Sequence, residues 1–160
     1  MAELSELSFR VRTFLRAYPW RSIDPIPWSP LKKPLSESNV ALVSTGGFVA
    51  PGQQPFSHSV KGGDFTFREI AGDADVRTLV DSHRSESFDH TGIRTDANLA
   101  FPLDRLRELE REGRIGRVNH RHWSFMGSIT APGRLIAQTA PAAAQQAVDD
   151  GVDAVLLVPV

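Results

Sequence analysis

The ten residues Gly151-Val-Asp-Ala-Val-Leu-Leu-Val-Pro-Val160 constrain the fold more than any other stretch of this chain. From Val152 to Val160 only Asp153 and Pro159 interrupt a run of valine, leucine and alanine, the pattern of a parallel strand covered on both faces. A strand of this kind expects a helix after it. In open α/β sheets, ligands and catalytic groups gather just past the carboxyl ends of the strands. The chemistry is therefore expected at the mouth of the sheet beyond Val160, and the chain reads as a fragment, or as one closed by a premature or recoded stop.

The segments before this strand agree with that class. Ala140 to Asp150 reads as a helix with Pro141 in its first turn and Gly151 ending it, the helical half of a parallel crossover. A shorter helix is expected from Pro132 to Thr139. Ser38-Asn-Val-Ala-Leu-Val-Ser-Thr-Gly-Gly47 reads as the first core strand, and its closing pair, Gly46 and Gly47, permits φ > 0 and the close approach of a ligand to the backbone. Phe48 to Phe56 reads as loop. Asp64 to Ile70 alternates, with Phe65, Phe67 and Glu69 on one side and Thr66, Arg68 and Ile70 on the other, which predicts an edge strand. Pro102 to Gly113 predicts a helix with a Leu103, Leu106, Leu109 stripe and a glycine cap. Arg114 to Phe125 is a strand pair or a loop. The expected fold class is α/β: a mostly parallel open sheet with flanking helices, incomplete at its C-terminus.

Residues 1–38 read as a separate N-terminal piece, and residues 39–160 as the N-terminal portion of the α/β domain. Leu4, Leu7, Val11, Phe14 and Leu15 have helical spacing opposite Glu3, Glu6, Arg10, Arg12 and Arg16, which predicts a docking helix over 4–17. Pro19, Pro25, Pro27, Pro30 and Pro34, with Trp20 and Trp28 among them, exclude helix and central strand and predict an extended arm pinned by its tryptophans. The arm either packs on its own domain or reaches another subunit.

Charge and composition narrow the function. Lys and Arg total 18 against 19 Asp and Glu, a net charge of −1, so no long-range field draws the chain to nucleic acid or anionic lipid. No apolar run approaches the roughly 20 residues of a membrane span, and the first residues lack a signal peptide's basic start and apolar centre. A cytoplasmic protein is expected. At 160 residues one core is expected, burying roughly two thirds of the unfolded chain's surface. Cysteine is absent, so a thiol nucleophile, and any redox group, must come from outside these residues.

The polar segment Asp81 to Asn98 is the densest in candidate chemistry. His83 fits an acid or base, Asp89 its orienting carboxylate, and Asp96 and Asn98 anchors or substrate-binding groups with Gly46 and Gly47. A polar loop with satisfied turns accounts for the same residues. His83 and His90 are seven apart and no His-Glu-x-x-His occurs, so a compact metal site is not expected. His120 and His122 would share a side if extended. Two other classes stay open: a non-catalytic module binding a small carboxylate, and a metal-dependent hydrolase built on His83, His90, His120 and His122.

An ordered set of short segments adds to this reading. Ala41-Leu-Val-Ser-Thr-Gly-Gly47, Asp89 with Asp96-Ala-Asn98, Phe101-Pro-Leu-Asp-Arg-Leu106, Glu112-Gly-Arg-Ile-Gly116, Ser124-Phe-Met-Gly127 and Gly151 to Val160 together resemble the selenoprotein B family of glycine, sarcosine, betaine and D-proline reductases, from about Pro34 onward. The resemblance implies an α/β domain whose last strand here is followed by a turn bearing selenocysteine or cysteine, at position 161. It implies reductive cleavage of the C–N bond of a small amino acid or amine, with a pyruvoyl group on a partner subunit, a thiol reductant such as thioredoxin, and an oligomeric assembly. A helix N-terminus after that turn would favour the selenolate or thiolate. By resemblance, His83 and Asp89 lie near this centre while Asp96 and Asn98 hold the loop. The 160-residue chain alone is expected to be catalytically silent.

Overall fold

The computed structural model describes residues 4–18, 22–85 and 88–160. The chain divides into two compact units, Met1–Pro30 and Leu31–Val160. In the first, Ser8 interrupts the expected helix: its hydroxyl accepts from Val11 N–H and starts α1 (Phe9–Ala17), after a single 3-10 turn at Leu4–Glu6. A serine at this position satisfies one of the orphan N–H groups of a helix start, and so the periodic pattern is split. No residue of α1 is buried. Pro19 and Trp20 of the arm lie outside the described residues. Trp28 is 85% exposed and Ile26 80%.

Residues 31–38 belong to the second unit rather than to the arm. Leu35–Glu37 make a 3-10 turn, Gly116 N–H donates to the Leu35 carbonyl, and Lys33 pairs with Asp153 at 2.8 Å. From here the sheet is built around β1 (Asn39–Ser44). Its partners on one side are β5 (Arg117–Val118) and β6 (Arg121–Phe125), and on the other β7 (Ala154–Val158), all parallel to it. β3 (Phe67–Ala71) closes the far edge, antiparallel to β6. It starts later than the alternation predicts, because the Asp64 carboxylate accepts from Ser57 N–H and from Thr66 N–H and hydroxyl and winds 64–66 into a turn. Phe48–Val49, expected as loop, form β2 and pair antiparallel with β4 (Val80–Asp81). Two residues are too few to show a period, but both are buried.

Alternation along β1 sends its side chains into two cores. Val40 and Leu42 join Ile70, Ile93, Phe101, Leu103 and Leu106 under α2 (His90–Thr95) and α3 (Leu103–Arg111). Ala41 joins Trp123, Phe125 and Ala143 under α4 (Ala140–Asp149), which a π-helical turn at Leu135–Thr139 precedes. Helices thus flank both faces, and the fold is α/β with a mostly parallel sheet. A fully buried leucine such as Leu42 contributes about 1.5–3 kcal/mol through area removed from water. The final strand differs from its expectation of two covered faces: as the edge strand, paired only with β1, it leaves Leu157 68% exposed and Val155 and Leu156 near 40%. Among the described residues no helix is long and apolar enough to cross a membrane.

The ladder between β1 and its neighbour contains an offset. Val40 sits opposite Val118, yet Val43 sits opposite Trp123, so two extra residues bulge between β5 and β6. The gap is closed by a side chain. His122, fully buried with its ring against Phe101, accepts Leu42 N–H on Nδ1 at 3.0 Å. Burial pushes its pKa down to about 4, with help from Arg107 and His120. An unfolded histidine takes up a proton below about 6.5 whereas this one does not until about 4, so stability is lost as pH falls through that window. The expected loss is about 3 kcal/mol between pH 7 and pH 4. Denaturant melts of the protein and of His122→Asn, which keeps an acceptor for Leu42, should differ in this way: the variant is weaker at pH 7 and lacks this part of the pH dependence.

Candidate functional site at the carboxyl ends of the strands

Past Ser44, the segment Thr45-Gly46-Gly47 laces three strand ends together. Thr45 N–H donates to the Val158 carbonyl at 3.1 Å and Val160 N–H to the Thr45 hydroxyl at 2.8 Å, which ties down the end of β7. Gly127 N–H donates to the Thr45 carbonyl at 2.8 Å, and Gly47 N–H to the Phe125 carbonyl at 2.9 Å, which ties down the end of β6. Gly47 has φ +67 and lies so close to His83 that a Cβ would stand 2.9 Å from the His83 Cα. At Gly46 a Cβ would meet Phe48 and Ala100. The close approach expected of a ligand at this glycine pair is thus made by the protein itself, chiefly by the backbone of His83.

His83 is delivered across the end of β1. Ser82 N–H donates to the Gly47 carbonyl, and His83 N–H donates to Asp81 Oδ1 at 3.0 Å. The ring packs 5.0 Å from Phe88 and 6.0 Å from His90, centroid to centroid. Nδ1 accepts from Ser85 N–H at 3.2 Å, so the neutral ring carries its proton on Nε2. That Nε2 is buried and has no hydrogen-bond partner among the described residues. It faces Gly127, where a Cβ would lie 3.2 Å from it and 3.0 Å from the Val160 carbonyl. His83, Ser85, Phe88, Gly127, Ser128 and Val160 line a cavity of about 300 Å³ here. Burial and then the neighbouring His90 push the His83 pKa below its ordinary value, with Asp81 opposing.

The carboxylate that organises the histidines is Asp81. Its Oδ2 accepts from His90 Nδ1 and lies 3.4 Å from Arg94 Nε. His90 Nε2 faces the Ser85 carbonyl at 3.1 Å. This carbonyl and then Asp81 raise the His90 pKa. Asp89, expected to orient His83, is exposed and instead starts α2 by accepting Thr91 N–H at 2.9 Å. Asp96 likewise accepts Asn98 N–H, and Asn98 exchanges hydrogen bonds with Asp104 at the start of α3. Asp96 and Asn98 line a different cavity, of about 580 Å³, together with Asp81, Arg94 and Phe48. His83 therefore sits apart from both, and Asp81 is the residue common to the two sides.

The four histidines of the hydrolase reading are not gathered. His122 lies in the core, while His120 is exposed and 3.7 Å from Asp150. Among the described residues no group of three or more His, Cys, Asp or Glu is placed to hold a metal ion. Asp81 and Gly127 are site residues that the sequence reading did not single out. Asp81 had only its place at the head of the polar segment, and Gly127 only its place at the end of the segment Ser124-Phe-Met-Gly127 of the ordered set.

A mostly parallel sheet that holds an imidazole N–H, unpartnered among the described residues, beside the carboxyl ends of its central strands defines an α/β protein with a candidate site at the usual mouth of that architecture. The family model of glycine/sarcosine/betaine reductase selenoprotein B matches residues 8–160, and the chain belongs to that family. It is 37% identical over 136 residues to D-proline reductase subunit gamma of Acetoanaerobium sticklandii, covering 84% of this chain and 54% of that protein. It is 31% identical over 144 residues to glycine reductase complex component B subunit gamma of Carboxydothermus hydrogenoformans, covering 90% of this chain and 33% of that one. A sarcosine reductase complex component B subunit beta of Peptoclostridium acidaminophilum is 30% identical over 148 residues, with the same two coverages, 90% and 33%. The chain thus spans about half the length of the first relative and a third of the other two. No solved structure matches it.

Gly127 leaves the only room between the Thr45 carbonyl, the Val160 carbonyl and His83 Nε2 in which a methyl group would have to fit. Gly127→Ala is expected to cost about 1–3 kcal/mol by overpacking. Thermal unfolding of the variant checks this; a melting temperature equal to that of the parent contradicts the geometry.

Proposed function

We propose that the chain contributes the histidine-bearing part of a reductase component that cleaves the C–N bond of a small amino acid or amine of the glycine, sarcosine, betaine or D-proline type. The observation that carries this reading is the buried His83 Nε2–H, which has no partner among the described residues and faces Gly127, beside a cavity that His83, Gly127 and Val160 line. The names of the relatives support the substrate class: they are components of D-proline, glycine and sarcosine reductases.

The residues present fit a selenol or thiol carried just after Val160. When bound there, such a group supplies the nucleophile that takes the substrate carbon from its nitrogen. His83 donates its Nε2–H to an anion in the cavity, whether that anion is the chalcogenide or the substrate carboxylate. A donor held in place this way favours the charged form of its acceptor. Thr45 holds Val160 in place from both sides of its peptide. Phe88 packs against the ring. A partner subunit with a pyruvoyl group would activate the amine, a thioredoxin-type thiol would return the reductant, and the assembly would be oligomeric and cytoplasmic.

His83→Gln in the assembled reductase tests the reading. The expected result is a fall of about 10²-fold or more in thiol-dependent release of the amine, the range set by loss of one positioned proton donor. Turnover equal to the parent removes it. The codon that follows Val160 is expected to be UGA or a cysteine codon, and any other codon there removes the nucleophile from this position. The same Nε2–H favours one second reading, a module that binds a small carboxylate without chemistry. Calorimetric binding of glycine or betaine that His83→Gln abolishes, with no turnover in the assembly, supports it.

A further inference from the structure

We infer that Asp81 and His90 form a positioning pair that holds the His83 ring with Nε2 turned toward Gly127, closing a hydrogen-bonded circuit through Ser85. The catalytic consequence of this pair rests on the reductase reading; the circuit does not.

Four contacts make the circuit. His83 N–H donates to Asp81 Oδ1 at 3.0 Å. Asp81 Oδ2 accepts from His90 Nδ1. His90 Nε2 donates to the Ser85 carbonyl at 3.1 Å. Ser85 N–H donates to His83 Nδ1 at 3.2 Å, which returns the path to the residue where it began. Phe88 packs on both imidazoles, 5.0 Å from one and 4.9 Å from the other, while the two stand 6.0 Å apart.

The direction of each donor is forced. A carboxylate and a carbonyl only accept, so both nitrogens of His90 must donate, and His90 is an imidazolium paired with the Asp81 anion. A peptide N–H only donates, so His83 Nδ1 must accept and its proton must reside on Nε2. The circuit can therefore be satisfied in one arrangement only, and in that arrangement His83 is neutral and presents N–H toward Gly127. The charged groups around it act in the same sense. His90 and Arg94 on α2 are cations near Asp81, and Arg84 is turned to the Val60 carbonyl at 3.2 Å. The Asp81 charge is shared with His90 and Arg94, so little of it remains to draw a second proton onto His83.

This differs from a purely structural loop, which would hold the backbone but leave the titration of His83 free. Histidine-labelled protein followed by nitrogen NMR reads the difference, since the chain has only 5 histidines to assign. In the unaltered protein His83 is expected as the Nε2–H tautomer, titrating below His90. A His90 midpoint below that of His83 overturns the inference without any variant. In His90→Gln the cation is gone while Asp81 keeps its charge, so the His83 midpoint is expected to rise and its tautomer preference to weaken. In Asp81→Asn the His90 midpoint is expected to fall. Unchanged midpoints and tautomers in both variants, with the His122 signals showing an intact core, overturn the pair. In the assembled reductase, His90→Gln should lower kcat on the order of tenfold with little change in KM, as loss of a partner that orients a functional histidine does. A shifted His83 titration with unaltered turnover keeps the positioning pair and removes the reductase role of His83.

Discussion

The fold rests on how β1 is paired on the side of β5 and β6. A parallel ladder supplies evenly spaced hydrogen bonds only while its register is kept. Here the register slips by two residues between Val118 and Trp123, and the N–H of Leu42 would be left inside the core without an acceptor. His122 supplies the missing acceptor from its own side chain. An orphaned buried N–H costs about 1–3 kcal/mol, and this one lies in the central strand between two cores. A side chain with an acceptor nitrogen at that height, neutral because burial keeps it so, is what allows the slip to exist.

The slip decides what arrives at the mouth of the sheet. Because Trp123 rather than an earlier residue lies opposite Val43, Met126 reaches Gly46 and Gly127 reaches Thr45. With an unbroken register the chain would present residues two positions earlier, and the glycine that gives His83 Nε2 its space would lie elsewhere. The site and the irregularity in the ladder are one feature seen at two heights along β1. Bulges are used in this way to re-aim a strand near a working site.

Sequence patterns carried the regular parts of this structure and lost the parts held by single contacts. The apolar runs around Val40 and Val155, the Leu103–Leu106 stripe and the turn at Gly151 all lie in elements of the expected kind. Ser8 and Asp64 broke expected elements because one side-chain oxygen can start a helix or wind a turn, and a periodic pattern does not register a single hydrogen bond. α2 was hidden for the opposite reason: Gly92 and the polar His90, Thr91 and Thr95 look like loop until Asp89 is recognised as the cap. At the site, His83 stood out by residue type. The choice of carboxylate did not follow from spacing, because Asp89 is nearer to His90 in sequence while Asp81 is the one that accepts from both the backbone N–H of His83 and the ring of His90.

Two histidines here keep an unpartnered Nε2 among the described residues, and they differ in what can relieve it. Each has its Nδ1 occupied by a backbone donor, Leu42 N–H for one and Ser85 N–H for the other, so each carries its proton on Nε2. His122 points that proton into the core beside Phe101, where the cost is a fixed part of holding the ladder together. His83 points it toward Gly127, beside a cavity that Val160 also lines. A group that enters the cavity with an acceptor recovers the desolvation already spent on the donor, and an anion recovers more than a neutral acceptor. The same orphan proton is therefore enclosed by the core in one place and set against a glycine in the other, where the absence of a side chain at Gly127 leaves its space.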